Sequence, residues 1–434
     1  MKSVIKSIMD KQGISKNELL RQTKMYSTIN RALNGKTYRL NERKIRHLQL
    51  LYQKPSCKVI PNKESFIVRL NKQEYLNVVA CLPKKTQTGL NLYVKKQINN
   101  IVVWYQPKTR ARSESTFKRL IRLNSYFVAC LGLSLGDGLN NPSKRNTHYT
   151  FTNTNFQLTY LIFKWLRTIF GLNSNKIQLF LNVPITTKHV PDTKSLERKF
   201  HQKIVVYKLD RYRNQTLTLQ FSNRIFQCLY STLFHKLKGT ILYGPVLRRA
   251  FLKGLFAAEG HVKHSVYGTI ESMSFAYNPR IETDLMSFVK SCLKKEQIYA
   301  KNDPNGYLYF CGYENMIRFY LLGGLSLYKA KEEKFIRLLK NAELVLHFKN
   351  GYLTPLRKHS QNKLAKTLNC SQPAICKALK KGFFPLKHLL KLQNDLDISR
   401  SVLIAATEFI TVRTSFVRNK EAIKFLLSLI IQCK

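Results

Sequence analysis

Two short glycine-rich segments of this chain repeat one pattern: LGLSLGDG at Leu131–Gly138 and FLKGLFAAEG at Phe251–Gly260. The small residues that recur four positions apart are Gly132 and Gly136 in the first copy, and Gly254 and Ala258 in the second. Each pair is followed by an acid and a glycine, and the two acids, Asp137 and Glu259, are 122 residues apart (259 − 137). Because positions four apart share one face of a helix, the pattern predicts two helices that pack closely through small residues.

The acids are poorly placed for isolated helices. Asp137 and Glu259 fall in the last turn, where a carboxylate opposes the helix dipole by about 0.3–1 kcal/mol. The glycine that follows each acid suits a left-handed C-terminal cap. If the two helices pack on each other, the carboxylates meet, and their like charges raise at least one pKa. A divalent cation between them would remove both penalties, since hard cations take carboxylate and carbonyl oxygens.

The charge of the chain points to a polyanionic partner. Lys and Arg number 74 against 24 Asp and Glu, a formal net charge of +50, so nucleic acid is the expected partner. A membrane partner is not expected, because the basic residues are spread along the chain and no run of about 18 uncharged apolar residues occurs. The nine cysteines form no CxxC pair, which is typical of a reducing compartment. We expect a cytoplasmic protein, nucleoid-associated in a prokaryote, or a protein of an organelle matrix if organelle-encoded.

Composition shifts and periodicity predict five regions. They are an N-terminal helix-turn-helix-like domain at 1–56, a small β-rich region with a basic linker at 57–118, two similar halves at 119–240 and 241–345, and a helical helix-turn-helix-like domain at 346–434. The stretch 107–118, PKTRARSESTFK, is interpreted either as a linker along phosphates or as a solvated loop.

The two halves share one order of elements. In the first half we predict strands at Thr147–Asn153, Ile177–Val183, Ile204–Leu209 and Leu217–Phe221, with helices at Phe156–Phe170 and Arg224–Leu237. In the second we predict strands at Ile270–Ala276 and Tyr307–Cys311, with helices at Ile281–Lys295 and Glu314–Leu321. Since a glycine-rich helix, a strand and a helix recur in this order, the sequence predicts an internal duplication.

The N-terminal segment ISKNELLRQTKMYSTINRALNGK is similar to the helix-turn-helix of phage-repressor-like proteins. In such a fold the second helix presents residue types that bond base edges or phosphates, here Tyr26, Ser27, Asn30 and Arg31. The alternative is a small helical cap that packs on its neighbour.

A second helix-turn-helix candidate spans Ser360–Gly382. Ala365 is the small residue where the helices cross, and Asn369 can take the left-handed turn conformation. Ser371 is predicted to cap the recognition helix. Ile375 and Leu379 would face the core. The residues predicted to face outward are Gln372, Ala374, Lys377, Lys380 and Lys381.

The paired motifs over about 119–340 resemble the signature helices of the LAGLIDADG homing endonucleases, in the single-chain form found in archaea and inteins. The resemblance implies an α+β fold: a pseudo-twofold duplicated core, with a helix and a curved antiparallel sheet in each half, flanked here by all-α helix-turn-helix domains. It also implies that Asp137 and Glu259 hold Mg²⁺, with the carbonyls of Gly136 and Ala258 as further ligands. Cations at such a site polarise the scissile phosphate, activate a water and neutralise the leaving oxygen.

The same resemblance implies that the strands contact DNA. Along Thr147–Asn153, His148, Thr150 and Thr152 share one face, while Tyr149 and Phe151 share the other. Polar side chains on the first face could meet base edges, and the alternative is a sheet simply wetted on one side.

The sequence departs from the family where the strands end. Relatives often carry a lysine or glutamine there, whereas this chain has Asn153 and Thr154 in the first half, and Tyr277 and Asn278 in the second. We predict Asn153 to be a DNA contact, and Lys263, four residues beyond Glu259, to support the reacting phosphate. A solvated surface lysine is the alternative for Lys263.

Two functions remain open. The first is a monomeric, sequence-specific DNA endonuclease with an internal pseudo-dimer, which makes a Mg²⁺-dependent double-strand cut in DNA. The second is a non-cleaving DNA-binding regulator, or an RNA-splicing maturase that acts on intron RNA, on the same scaffold.

Overall fold

A computed structural model of the chain describes residues 65–107, 113–138, 148–187, 192–210, 213–349, 352–353, 357, 360–392 and 400–431. The first predicted helix-turn-helix, with Tyr26, Ser27, Asn30 and Arg31, lies outside the described residues. Over the described ranges the fold combines helices with mainly antiparallel sheets, so the α+β class is confirmed. The chain divides into two compact units: residues 1–130 with 138–239, and residues 131–137 with 240–434.

The first unit begins with two small sheets of order β1-β2-β6 and β3-β4-β5. Their elements are β1 (Ile67–Leu70), β2 (Gln73–Asn77), α1 (Val78–Cys81), β3 (Tyr93–Lys96), β4 (Asn100–Tyr105), β5 (Ser113–Lys118) and β6 (Leu120–Arg122). Strand β5 corrects the linker interpretation for residues 113–118, because these six residues pair along β4, whereas 108–112 lie outside the described residues. Phe117 is 1% exposed within this strand, which anchors an otherwise polar segment.

The rest of the first unit is built on a four-stranded sheet of order β7-β10-β8-β9, in which β8 and β9 run parallel. The elements are α2 (Ser125–Asp137), β7 (His148–Asn153), α3 (Phe156–Phe170), β8 (Gln178–Pro184), α4 (Thr193–Phe200), β9 (Ile204–Leu209), β10 (Thr216–Ser222) and α5 (Arg224–Tyr243). The end of α2, residues 131–137, and the end of α5, residues 240–243, belong to the second unit. Helix α3 packs on β7 and β10. It begins where Asn155 accepts a bond from Gln157 N at 3.0 Å, and ends at Gly171, whose φ is 71°.

The second unit has a four-stranded antiparallel sheet of order β11-β12-β14-β13. The elements are α6 (Pro245–Glu259), β11 (Gly260–His264), β12 (Ile270–Ala276), α7 (Thr283–Lys295), β13 (Lys301–Asp303), β14 (Tyr307–Cys311), α8 (Tyr313–Leu321) and α9 (Lys329–Lys340). Helices α6 and α9 pack on β11 and β12, and α8 packs on β14. The parallel pair β8–β9 has no counterpart in this sheet. The internal duplication therefore stays a prediction.

The C-terminal region departs from the expected all-α domain. It contains a sheet of order β16-β15-β17-β18 as well as helices. The elements are β15 (Leu344–Phe348), α10 (Gln361–Leu368), α11 (Gln372–Lys381), β16 (Phe383–Pro385), α12 (Leu386–Lys391), α13 (Arg400–Ala406), β17 (Thr407–Val412), β18 (Ser415–Val417) and α14 (Lys420–Ile431). The expected helicity fails because the apolar run around 402–412 divides between a helix and a strand. Short apolar runs do not distinguish the two by periodicity.

The helix pair α10–α11 follows most of its sequence prediction. Asn369 takes the left-handed conformation with φ 54°, and Ala365, Ile375 and Leu379 are buried. Ser371 precedes α11, but its side chain makes no capping hydrogen bond. The predicted side-chain cap by Ser371 is therefore wrong, although α11 begins where the sequence predicts.

Helix α14 is fixed to α8 within the second unit. Glu314 on α8 accepts hydrogen bonds from the backbone N–H of Arg418 at 2.7 Å and of Asn419 at 3.4 Å. Tyr320 lies against Phe425, with ring centroids 5.0 Å apart. These contacts make the C-terminal helix part of the second unit. No helix in the described ranges is long and apolar enough to span a bilayer.

Candidate active site and nucleic-acid interface

The end of α2 and helix α6 pack backbone to backbone, as their small residues predict. A Cβ atom on Gly132 would lie 2.4 Å from the carbonyl oxygen of Phe251. A Cβ on Gly136 would lie 2.4 Å from Cβ of Ala258 and 3.1 Å from Cγ of Glu259. The two glycines are therefore required by the closeness of the helices. The packing brings the helix ends that carry Asp137 and Glu259 together.

The glycine after Glu259 has a different role from the one predicted. Gly260 has φ −73° and ψ 139°, which is extended backbone, so the expected left-handed cap is wrong. A Cβ there would lie 2.3 Å from the carbonyl oxygen of Phe256 and 2.4 Å from its Cγ. Glycine is needed because the chain turns from α6 into β11 directly against the Phe256 ring.

The two carboxylates interact through space, as predicted. Burial raises the pKa of Glu259 from 4.5 to about 7, and the negative charges of Asp137 and then Glu282 add to that rise. Lys331 acts in the opposite direction and lowers the pKa of Glu259. A carboxyl with this pKa stores a free-energy penalty for its charged form. The penalty would be relieved by an added cation.

Lys331, at the start of α9, was missed by the sequence reasoning. Its ammonium group donates to the last carbonyls of α6: 3.0 Å to Phe256 O, 2.8 Å to Ala257 O and 3.2 Å to Ala258 O. Burial lowers the pKa of Lys331 to about 8, although Asp137 and Glu259 both act to raise it. A cation at a helix C-terminus complements the dipole that the two acids oppose.

The donor set suits a hard divalent cation. Two carboxylates and helix-end carbonyls are the oxygen ligands that Mg²⁺ and Ca²⁺ take. Among the described residues no group of three or more His, Cys, Asp or Glu could hold a metal ion. A cation held by Asp137 and Glu259 would therefore complete its coordination with the carbonyl of Gly136, with water or with phosphate. The predicted carbonyl of Ala258 is already engaged by Lys331.

A cleft of about 780 Å³ lies over the open face of the second unit's sheet and reaches Glu259. Alternation along the strands puts these lining side chains on one face: His261, Lys263, Ser272, Ser274, Tyr307, Tyr309 and Cys311. The opposite side chains of β14, Leu308 and Phe310, are at most 1% exposed and belong to the core. The polar side chains of this sheet face and the carboxylate of Glu259 therefore line the same cleft.

Lys263 lies in this cleft, where it was predicted to support a phosphate. Its ammonium group is 3.1 Å from Glu271 Oε1, and its side chain is 60% exposed. An exposed pair of this kind contributes at most about 1 kcal/mol, so Lys263 can exchange Glu271 for another anion. Its contact with phosphate stays a prediction.

The first unit's sheet also has a polar open face. Tyr149 and Phe151 are buried, while His148 is exposed and Thr150 and Thr152 are partly exposed. Thr150 pairs with Gln220, and Gln220 pairs with Gln178. Gln178 and Gln220 were missed, although the alternation of β8 and β10 could have indicated them.

Asn153 does not fit its predicted role as a DNA contact. It is 8% exposed and lies on the buried face of β7, in phase with Tyr149 and Phe151. Its Oδ1 accepts a bond from Asn155 N at 2.6 Å, which holds the turn into α3. Thr152 is also engaged, with its hydroxyl 2.9 Å from that of Thr218.

The predicted outward residues of α11 are exposed. Gln372, Lys377 and Lys380 all lie on the solvent side of the helix. The chain turns at Gly382, whose φ is 67°. Contact of this helix with DNA stays a prediction.

No family model matches this sequence, and no curated protein matches it. Part of the chain is similar to solved LAGLIDADG domains. The N-terminal LAGLIDADG domain of DUF199/WhiA is 12% identical with a TM-score of 0.28, over 48% of this chain and 86% of that one. Full-length DUF199/WhiA from Thermotoga maritima is 10% identical with a TM-score of 0.30, over 71% and 92%. I-DmoI in complex with DNA and Ca is 18% identical with a TM-score of 0.24, over 45% and 86%. Similarities at these TM-scores carry no weight for function.

Proposed function

We propose that this chain binds double-stranded DNA and cleaves it by divalent-cation-dependent hydrolysis of the phosphodiester bond. The observation that carries the proposal is the pair Asp137 and Glu259, held by close-packed helix ends where Glu259 opens into a polar cleft. The net charge of +50 supports a polyanionic substrate.

The open sheet faces would supply the contacts to DNA. Side chains such as Thr150, Gln178 and Gln220 carry the hydroxyl and amide groups that bond base edges in the major groove. Tyr307 and Tyr309 offer hydroxyl groups and ring faces in the other unit. Lys263, and on α11 Lys377 and Lys380, would neutralise phosphates and position the protein without reading sequence.

The chain's own residues would perform three tasks in the reaction. Asp137 and Glu259 would hold the divalent cation, and the carboxyl of Glu259 can release its proton near neutral pH because its pKa is about 7. The close packing at Gly136 holds the two carboxylates in place. Lys263 neutralises the reacting phosphate. The bound cation would polarise the phosphate and lower the pKa of an attacking water.

A second candidate is a non-cleaving DNA-binding regulator, or a maturase that acts on intron RNA. Two observations favour it. The strand-end position Asn153 is buried rather than basic, and Lys331 already donates to one predicted metal ligand, the carbonyl of Ala258. A pure binder, however, has no use for two carboxylates beside a polyanion.

A selection from a randomised duplex pool tests the proposal. Duplexes are first captured in EDTA, and the captured pool is then incubated with Mg²⁺. Recovery of a consensus whose strands are both cut would support the endonuclease. A consensus that is bound and never cut would support the regulator instead. A parallel pool of structured RNA tests the maturase.

A further inference from the structure

Lys331 is held in place by more contacts than a surface lysine makes. Its ammonium nitrogen lies within 3.2 Å of three backbone carbonyl oxygens of α6, those of Phe256, Ala257 and Ala258. The nitrogen also lies 5.0 Å from the ring centroid of Tyr328 and 5.6 Å from that of Phe256. An ammonium group has three protons to donate, and these three carbonyls compete with a DNA phosphate for them.

The same nitrogen lies in the electric field of both acids. Asp137 and Glu259 each raise the pKa of Lys331, and Lys331 lowers that of Glu259. Once Glu259 is ionised, the helix end carries two negative charges and the positive charge of Lys331.

We propose that Lys331 is a positioning residue that supplies a positive charge beside the pair Asp137 and Glu259, and so limits the pair to one divalent cation. The inference rests on the proposed cation site. The reason for the limit is electrostatic: with Glu259 ionised, the two carboxylates and Lys331 carry a net charge of −1, and one divalent ion brings it to +1. A second ion would have to share carboxylate oxygens with the first, beside an ammonium group that three hydrogen bonds hold at the end of α6.

The contact between Lys331 and Ala258 also determines on which side of the helix ends a cation would bind. Ala258 O already accepts a hydrogen bond from Lys331 at 3.2 Å, so a cation bound to this oxygen would lie next to the ammonium charge. Like charges in such contact repel strongly in a partly buried site. The cation is therefore held by the carboxylates and the Gly136 side, and the carbonyl of Ala258 is not a ligand.

Mn²⁺ binding to the full-length protein without DNA tests this inference. Free Mn²⁺ is measured by electron paramagnetic resonance for the wild type, Lys331→Met, Lys331→Gln and Lys331→Arg. Lys329→Met is the matched control, because Lys329 lies on the same helix with a side chain 86% exposed, paired with Glu333 at 3.6 Å. The variant that combines Asp137→Asn with Glu259→Gln lacks both carboxylates, so any Mn²⁺ that it still binds is bound at other sites.

We expect one specific Mn²⁺ per wild-type chain, or none within the titrated range. Lys331→Met and Lys331→Gln should bind Mn²⁺ at least about tenfold more tightly than the wild type, or bind a second ion. Lys331→Arg and Lys329→Met should match the wild type. Lys331→Gln keeps two donors for the carbonyls of α6, so it serves if Lys331→Met does not fold.

Two specific Mn²⁺ ions on the wild type would overturn the inference. Equal affinity of the wild type and a folded, charge-free variant would do the same, as would no specific Mn²⁺ on any variant. DNA binding measured in EDTA is a separate readout. If it persists while the Lys331 variants bind Mn²⁺ like the wild type, the inference fails and the DNA-binding proposal stands.

Discussion

Gly136 lies so close to Ala258 that a Cβ atom on the glycine would come within 2.4 Å of the alanine's Cβ. Real Cβ atoms do not approach this closely, so the ends of α2 and α6 can meet only if this position stays glycine. The separation of the two acids depends on this contact.

Gly136→Ala should destabilise the protein by about 1–3 kcal/mol, because the added methyl group forces the helices apart. Chemical denaturation measures the change. Gly239→Ala is the matched control, since Gly239 lies within α5 and has nothing within 4 Å of the added Cβ. That variant should be neutral, or more stable by up to about 1 kcal/mol. Similar losses in both variants would mean that helix contact does not explain the glycine.

Glu259→Gln should stabilise the protein at high pH. The folded-state pKa of Glu259, about 7, is raised above the ordinary 4.5, so the folded state holds this proton more tightly than the unfolded state. The resulting stability is present below pH 4.5 and is lost as the pH rises through 7. The variant should therefore gain roughly 1–3 kcal/mol relative to the wild type between pH 5 and pH 8. Melting temperatures at both pH values measure it, and a difference independent of pH would contradict the assignment.

The sequence predicts the close helix pair because its information is local. Glycines four apart in LGLSLGDG identify the packing face, and the alternation in HYTFTN separates Tyr149 and Phe151 from Thr150. Lys331 is different. It lies 73 residues from Ala258, and only the packing of α9 on β11 and β12 brings it to the acids. No local spacing carries that information.

The remaining differences have the same origin. Strand β5 is polar along most of its length, and its pairing with β4 decides its conformation. Asn153 has a side chain suited to base contact. The phase of β7 turns it towards the core, where it bonds Asn155. Tertiary context overrides residue type at both positions.

Cys311 should report DNA bound in the cleft. It is exposed on the open face of β14, whereas Cys292 is buried and burial raises its pKa to about 12. Iodoacetamide at pH 8 should therefore modify Cys311 and spare Cys292, because the thiolate is the reactive form. Saturating cognate DNA should block most of the modification of Cys311, as measured by peptide mass spectrometry. If DNA leaves the rate at Cys311 unchanged, the cleft is not the binding face.

Lys377→Gln and Lys380→Gln should each weaken DNA binding and reduce the salt slope by about one unit, because each lysine would release counterions from one phosphate. Affinity measured from 50 to 200 mM salt gives the slope. Lys391→Gln, an exposed lysine on α12, is the control and should leave the slope unchanged. If Lys377→Gln and Lys380→Gln keep the salt slope of the wild type, α11 does not contact DNA.

We propose above all that Asp137 and Glu259 together hold the cation required for DNA cleavage. The direct measurement is cleavage of the selected duplex in Mg²⁺ by the wild type and by Asp137→Asn combined with Glu259→Gln, with binding measured in EDTA. We expect the double variant to bind DNA and to lose at least about 10²-fold in cleavage rate, as losses of key groups do in hydrolytic sites. Undiminished cleavage by the folded double variant would contradict the account.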